Sequence, residues 1–359
     1  MKKSKWKWFL IVVGVVACLA LIGFAVSDAV YIPCVSGSYT LDKPFPDRDI
    51  IFIRKWGGEE FGFVNADGSG LEHVRLQYLS SKLKRFLNID DASLKLNTLI
   101  TWSSDGRAVF MSTYGYPMPT MLEVNGTCGT HYMLDEKFRA FMGRYRYVSV
   151  IPGTRQAVFS DNHLDFPYQP IIGVVELDRD TLILVKYVGV IMEKGYVHLE
   201  IGPHPWCSKE TLVFVYFTDR EQRIIFYNLR TDRQSILDAS ALGVHDWIAY
   251  PSCSPDGRWV AYTTRDGIYL VHPNGSDRQK IQMQMISSDY AYAPVASWSP
   301  DGQWIVYHDC LVPGDCREDK MAIFKYNVET GERVKLTDEG MYPYWRQPAE
   351  AGSEIRLEP

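Results

Sequence analysis

The chain has 359 residues, a formal charge of −5, and 46% hydrophobic against 23% charged residues. That balance supplies a large buried core and excludes a disordered chain. The acidic excess argues against nucleic acid or anionic lipid as the main partner.

Residues 1–8 hold four lysines with Trp6 and Trp8, and form a basic tail. Without those lysines the remainder carries −9. Residues 9–26, Phe9 through Val26, contain no charge or strong polar group. Eighteen such positions just suffice to span a hydrocarbon core as a helix. Lysines before the span and none soon after it orient the N-terminus inward and the rest outward. An uncleaved anchor is preferred over two rival readings, a cleaved signal peptide and a lipoprotein processed at Val15-Val16-Ala17-Cys18. The expectation is a single-pass membrane protein with its body at the cell surface or in a periplasm. Residues 27–48 then read as a linker.

Three segments repeat. Trp298-Ser299-Pro300-Asp301-Gly302-Gln303-Trp304 nearly copies Cys253-Ser254-Pro255-Asp256-Gly257-Arg258-Trp259, and Trp102-Ser103-Ser104-Asp105-Gly106 opens a third copy. Each reads as strand, tight turn, strand. Asp caps the turn and Gly takes the positive φ it requires. A third strand and second turn follow, clearest in Gly267-Ile268-Tyr269-Leu270-Val271-His272-Pro273-Asn274-Gly275. Asp256 and Asp301 lie 45 positions apart, while Asp105 and Asp256 lie 151 apart. The longer gap has room for two eroded units, found at Tyr147–Gly153 and Trp206–Glu210. Self-similarity at a period of ~40–50 residues marks a repeat architecture.

Five full units therefore start near residues 98, 146, 197, 248 and 294. Asp49-Ile50-Ile51-Phe52-Ile53 opens a sixth that lacks a first strand, and Met341-Tyr342-Pro343-Tyr344-Trp345 is a first strand with nothing after it. The two complete one blade, and the closed ring has no open edge at the join. The expected fold is all-β: a six-bladed β-propeller of four-stranded blades over residues 49–346, after an N-terminal transmembrane helix and before a tail at 347–359.

The Trp-Ser-Pro-Asp-Gly-x-Trp-Ile-x-Tyr segment, with its Ile-Tyr strand, resembles the repeat of TolB-type (WD40-like) propellers. The likeness covers roughly residues 49–346. It implies the propeller and an extracytoplasmic setting. TolB's separate α/β domain has no counterpart in the chain, so the likeness does not carry over partners or role.

Six cysteines follow the span: Cys34, Cys128, Cys207, Cys253, Cys310 and Cys316. An exported domain permits disulfides. Cys310 and Cys316, flanking a Pro-Gly turn, form the expected bridge. Cys207 and Cys253 hold the repeat position of Trp102 and Trp298, and read as small buried residues in neighbouring blades. Cys34 with Cys128 follows only by elimination. Four zinc ligands at suitable spacing are missing.

Asp105, Asp256 and Asp301, with Gly106, Gly257 and Gly302, repeat by blade and so read as structural turn residues. No Gly-x-Ser-x-Gly elbow, phosphate loop, His-Glu-x-x-His or EF-hand sequence occurs. Weak ligand-binding candidates are His204 and His245, which precede blade starts, and Asp161, His163 and Asp165, a polar loop whose spacing suits a cation. Two insertions read as short rim helices: residues 77–96, with Leu79, Leu83, Phe86 and Leu87, and residues 134–145, with Phe138, Phe141 and Met142. Tyr116, Pro117, Met118 and Pro119 read as an apolar loop. Lys82, Lys84 and Arg85 read as a solvated face. The expectation is a module binding a protein, peptide or glycan, with no cofactor, no metal, no nucleic acid and no catalysis. The alternative is a propeller carbohydrate lyase or hydrolase acting at the channel mouth.

Overall fold

The computed structural model describes residues 39–347, apart from 55–59, 79–99, 103–105, 114–115, 125–128, 132, 135–144, 151–155, 162–170, 179–180, 188–196, 203, 219–220, 285–292 and 314. The anchor expected at 9–26 lies outside these residues. Among the described residues no helix is long and apolar enough to cross a membrane.

The strands fall into six antiparallel meanders. Blade 1 contains β1 (Tyr39–Leu41), β2 (Ile50–Ile53), β3 (Glu60–Val64) and β4 (Glu72–Tyr78). Blade 2 is β5 (Ile100–Trp102), β6 (Ala108–Thr113), β7 (Tyr116–Glu123) and β8 (Gly129–His131). β9 (Met133–Leu134) precedes blade 3, which is β10 (Tyr145–Val150), β11 (Gln156–Asp161), β12 (Ile171–Asp178) and β13 (Thr181–Tyr187). Blade 4 is β14 (Val197–Glu200), β15 (Thr211–Thr218), β16 (Gln222–Asn228) and β17 (Arg233–Asp238). Blade 5 is β18 (Ala249–Cys253), β19 (Val260–Thr264), β20 (Gly267–Val271) and β21 (Gln279–Lys280). Blade 6 is β22 (Ser297–Trp298), β23 (Trp304–Cys310), β24 (Met321–Asn327) and β25 (Arg333–Lys335), and β26 (Met341–Trp345) ends the set.

β26 joins blade 1 beside β2, with Ile50 facing Trp345, Ile51 facing Tyr344 and Ile53 facing Met341. The last strand thus closes the first blade, and neighbouring first strands touch in a ring through blades 1, 2 and 3 and back through 5 and 6. Two short strands thicken the rim. β1 pairs antiparallel with β4, and β9 pairs parallel with β13, giving blades 1 and 3 five strands.

Middle strands are buried on both faces because blades stack face to face. β19 is buried at every position of Val-Ala-Tyr-Thr-Thr, and β23 at all but its first. Such strands read as continuous apolar runs rather than alternating ones. The outer strands β17 and β21 are largely exposed and polar.

The apolar stretch at Tyr116–Pro119 belongs to β7 and is not a loop. Its prolines avoid the ladder. Pairing with β6 skips from Thr113–Tyr116 to Met111–Thr120, and β8 engages only Thr120 through Leu122. Pro117 and Pro119 therefore need no N–H donor where they stand. Of the expected rim helices, residues 79–99 and 135–144 lie outside the described residues. Gln77 and Tyr78 end β4, and Leu134 belongs to β9.

Candidate functional site

A meander places the first–second and third–fourth turns on one face of the ring, the turn face. The second–third turns and the links between blades form the opposite linker face. The Asp-Gly turns lie on the turn face. Ser254 Oγ donates to Asp256 Oδ1 at 2.6 Å, Arg258 N–H donates to the same oxygen at 3.0 Å, and Trp259 N–H donates to Ser254 Oγ at 2.9 Å. Blade 6 repeats the arrangement with Ser299, Asp301, Gln303 and Trp304. Gly106, Gly257 and Gly302 all take φ near +65°, at 64°, 68° and 68°. Burial pushes the Asp256 carboxyl upward, but the hydrogen bonds from Ser254 and Arg258 outweigh it and hold the group below the usual carboxylate range. Asp105 lies outside the described residues.

The first strands wall the channel. In β18 and in β26 a Tyr-Pro pair forms a bulge: the register slips at Tyr250-Pro251 and at Tyr342-Pro343. Both tyrosines take φ of 50°. That left-handed conformation is one a bulky L-residue adopts only when its surroundings enforce it. Toward the linker face the wall is apolar. Tyr250, Ala293, Val295, Met341 and Tyr342 are buried in one cluster, joined by the partly exposed Trp247 and Met283. The His308 ring meets Tyr342 edge-on at 4.8 Å between centroids.

His204 does not precede its blade. It follows β14, inside a wide bulge that ends where Val213 N–H donates to Pro205 C=O at 2.6 Å and Trp206 bridges to Leu212. The erosion of this repeat hid the bulge from sequence. His204 Nε2 lies 2.6 Å from Ser297 Oγ, which also accepts Trp345 N–H at 2.6 Å. Cys253 N–H donates to His204 C=O at 2.8 Å. His204 thus ties the first strands of blades 4, 5, 6 and 1. Burial pushes its imidazole down to about 4, so it is neutral at physiological pH. Ser297 itself is fully buried.

His245 stands apart from His204, exposed in the link between blades 4 and 5. With Thr218, Glu221, Gln222, Asp238 and Asp246 it lines a linker-face cavity of about 380 Å³. Arg223 stands behind that cavity, 2.7 Å from Glu221 and 3.1 Å from Asp238. Asp161 is the last residue of β11, its backbone paired with Tyr145 and Ile171. His163 and Asp165 lie outside the described residues. Among the described residues no three His, Cys, Asp or Glu side chains converge as a metal site.

Cys310 and Cys316 are disulfide-bonded across the second–third turn of blade 6. Cys207 and Cys253 are bonded too, where two separate buried cysteines were expected. Equivalent positions in adjacent blades bring their Cα atoms to 4.9 Å, within disulfide reach. Cys18, Cys34 and Cys128 lie outside the described residues.

Six four-stranded meanders closed by the chain's own last strand define a β-propeller. No family profile and no curated protein matches the chain. A TolB candidate from Agrobacterium tumefaciens is similar in structure, at 15% identity and a TM-score of 0.53, covering 87% of this chain and 94% of that one. The fold is TolB-like. An oligogalacturonate lyase solved with manganese matches at 14% identity and a TM-score of 0.43, covering 66% of this chain and 63% of the lyase. A 6-phosphogluconolactonase candidate from Bacteroides uniformis matches at 14% identity and 0.46, covering 82% and 83%. The expectation that the chain is not an enzyme is corrected by these matches. Structures named as a lyase and as a candidate phosphogluconolactonase stand among its structural neighbours.

Proposed function

We propose that the chain is a membrane-anchored extracytoplasmic propeller that binds a protein, peptide or glycan on its linker face. The observation that carries this reading is the partly exposed Trp247, which with Met283 packs on the outside of the buried Tyr250–Tyr342 cluster at the linker face. Aromatic side chains with one accessible edge are the residues that anchor partners. The anchor at residues 9–26 and the outward orientation rest on the charge layout of the N-terminus. Two disulfides support an oxidising compartment.

The test is photo-crosslinking of the full chain in native membranes, with a photoreactive phenylalanine analogue replacing Trp247. One discrete adduct, lost when Trp247→Ala is introduced beside a probe at Met283, supports the reading. No adduct from either position, together with turnover of an acidic polysaccharide by the purified chain, replaces it with a propeller lyase.

A further inference from the structure

Sheet edges attract other strands, and this fold guards most of its outer edges. Among the described residues, β1 covers the rim of blade 1 and β9 that of blade 3. The outer strands of blades 2, 5 and 6 are two or three residues long. Blade 4 differs. Its outer strand β17 runs six residues, Arg233–Asp238, and among the described residues no strand lies beyond it. Ile236 on that strand is 45% exposed, one of three large hydrophobics so exposed among the described residues.

The hydrogen-bond phase of β17 fixes what this edge offers. Ala239 N–H donates to Gln222 C=O at 3.0 Å. Gln222 and Ala239 are therefore a mutually bonded pair, and bonded pairs alternate along an antiparallel ladder. With Arg223 facing Asp238 and Ile225 facing Ile236, the residues Gln234, Ile236 and Asp238 point their N–H groups away from the blade. Their carbonyls point outward too, although Leu242 N–H already reaches Asp238 C=O at 3.3 Å.

We propose that this edge pairs antiparallel with the same edge of a second copy of the chain, centred on Ile236. A two-fold axis normal to the sheet requires facing residues of equal parity, and the outward set meets that requirement. Ile236 faces Ile236 of the second copy and exchanges both backbone bonds with it. Gln234 faces Asp238 at each end, so a side-chain amide donor meets a carboxylate twice. Asp238 keeps Arg223 at 3.1 Å on its other side, and the two Asp238 carboxylates stand about 13 Å apart along the strands, so the pairing sets no like charges against each other. The apolar contact is Ile236 on Ile236, and it covers the exposed hydrophobic of this strand. Two six-residue edges bury less than a permanent interface needs, so the dimer is concentration-dependent. The surface lies on the rim of blade 4, away from the channel mouth, and the inference stands independently of the proposed function.

The test uses the full chain in detergent with a short bis-maleimide crosslinker, which adds to two cysteine thiols. Ile236→Cys should give a double-mass species. Gln234→Cys alone should give at least tenfold less, because its counterpart lies about 13 Å away along the strand. Mixing Gln234→Cys with Asp238→Cys chains should restore the product. A monomeric Ile236→Cys chain, equal yields from Gln234→Cys, or an adduct to a different polypeptide overturns the proposal. Sedimentation of the unmodified chain at high micromolar concentration gives a cysteine-free check. Ile236→Pro removes an N–H the blade does not use, so it should abolish the dimer and leave the melting temperature within a few degrees. Dimerisation that survives Ile236→Pro places the interface elsewhere.

Discussion

His204 in blade 4 and Ser297 in blade 6 are hydrogen-bonded at 2.6 Å, with the whole of blade 5 between them in sequence. Ser297 Oγ also accepts Trp345 N–H, so the buried imidazole sits where four blades meet. Burial lowers the folded pKa from 6.5 to about 4. The unfolded chain therefore binds the extra proton first, and stability falls as pH drops. The contribution is complete above pH about 6.5 and is lost progressively down to about 4, with an upper limit of about 3 kcal/mol. Urea unfolding across that range should show a slope in the native chain that His204→Asn removes. Parallel pH profiles for the two chains would refute the neutral tie.

The Cys207–Cys253 bridge closes a loop of 46 positions between adjacent blades. In the chain-entropy model such a loop contributes about 4 kcal/mol, against about 2 kcal/mol for the six-position Cys310–Cys316 loop. Cys207→Ser with Cys253→Ser should therefore cost roughly twice what Cys310→Ser with Cys316→Ser costs. Chemical denaturation of the two double variants measures both. A smaller loss from the 207–253 pair would show that its link adds nothing to the strand contacts already joining the blades.

Tryptophan does a related job elsewhere in the ring. Trp298 Nε1 donates to Ser252 C=O at 3.0 Å, one blade back, and Trp102 Nε1 donates to Tyr344 C=O at 3.3 Å, again one blade back. Trp298 is fully buried. Trp298→Phe keeps most of the apolar contact and removes only the indole donor to Ser252, so it should cost about 1 kcal/mol. Trp298→Ala adds a cavity and should cost about 3–5 kcal/mol. A Phe variant as damaging as the Ala variant would mean that indole shape, not the blade-to-blade bond, is what the site needs.

These two seams show what sequence could and could not reveal. The Ser-x-Asp-Gly turns were legible because a tight turn leaves few residue choices, and their spacing located the eroded blades. Closure by Met341–Trp345 followed from a first strand with nothing after it. The Cys207–Cys253 bond was present in the repeat alignment but outweighed by the ordinary burial of small residues. β1 and β9 were invisible because strands of two or three residues carry no period. His204 was singled out as a candidate, yet its five-residue bulge, and hence its reach to Ser297, depends on backbone geometry that no motif encodes. The cavity beside His245 gathers Glu221, Asp238 and Asp246 from three segments, a meeting that only the fold arranges.

The closing blade makes a sharper demand. Phe52 on β2 is fully buried, and its ring lies over Gly62, its direct partner on β3. A Cβ at Gly62 would stand 2.0 Å from Phe52 Cζ, and a Cβ at Gly340, just before β26, would stand 2.2 Å from Phe52 Cδ2. The ring therefore occupies space that side chains on both flanking strands would need. Gly62→Ala should destabilise by about 1–3 kcal/mol through overpacking. Gly340→Ala should cost more, because Gly340 also takes φ of 110°, which L-residues avoid. Pairing Gly62→Ala with Phe52→Leu frees the volume, so the double variant should be more stable than the sum of the single losses predicts. Hydrogen exchange at β26 amides reports the same event locally, since among the described strands β26 pairs only with β2. Strict additivity in the mutant cycle, with unchanged protection of β26, would show that the ring adjusts freely and does not lock the closure.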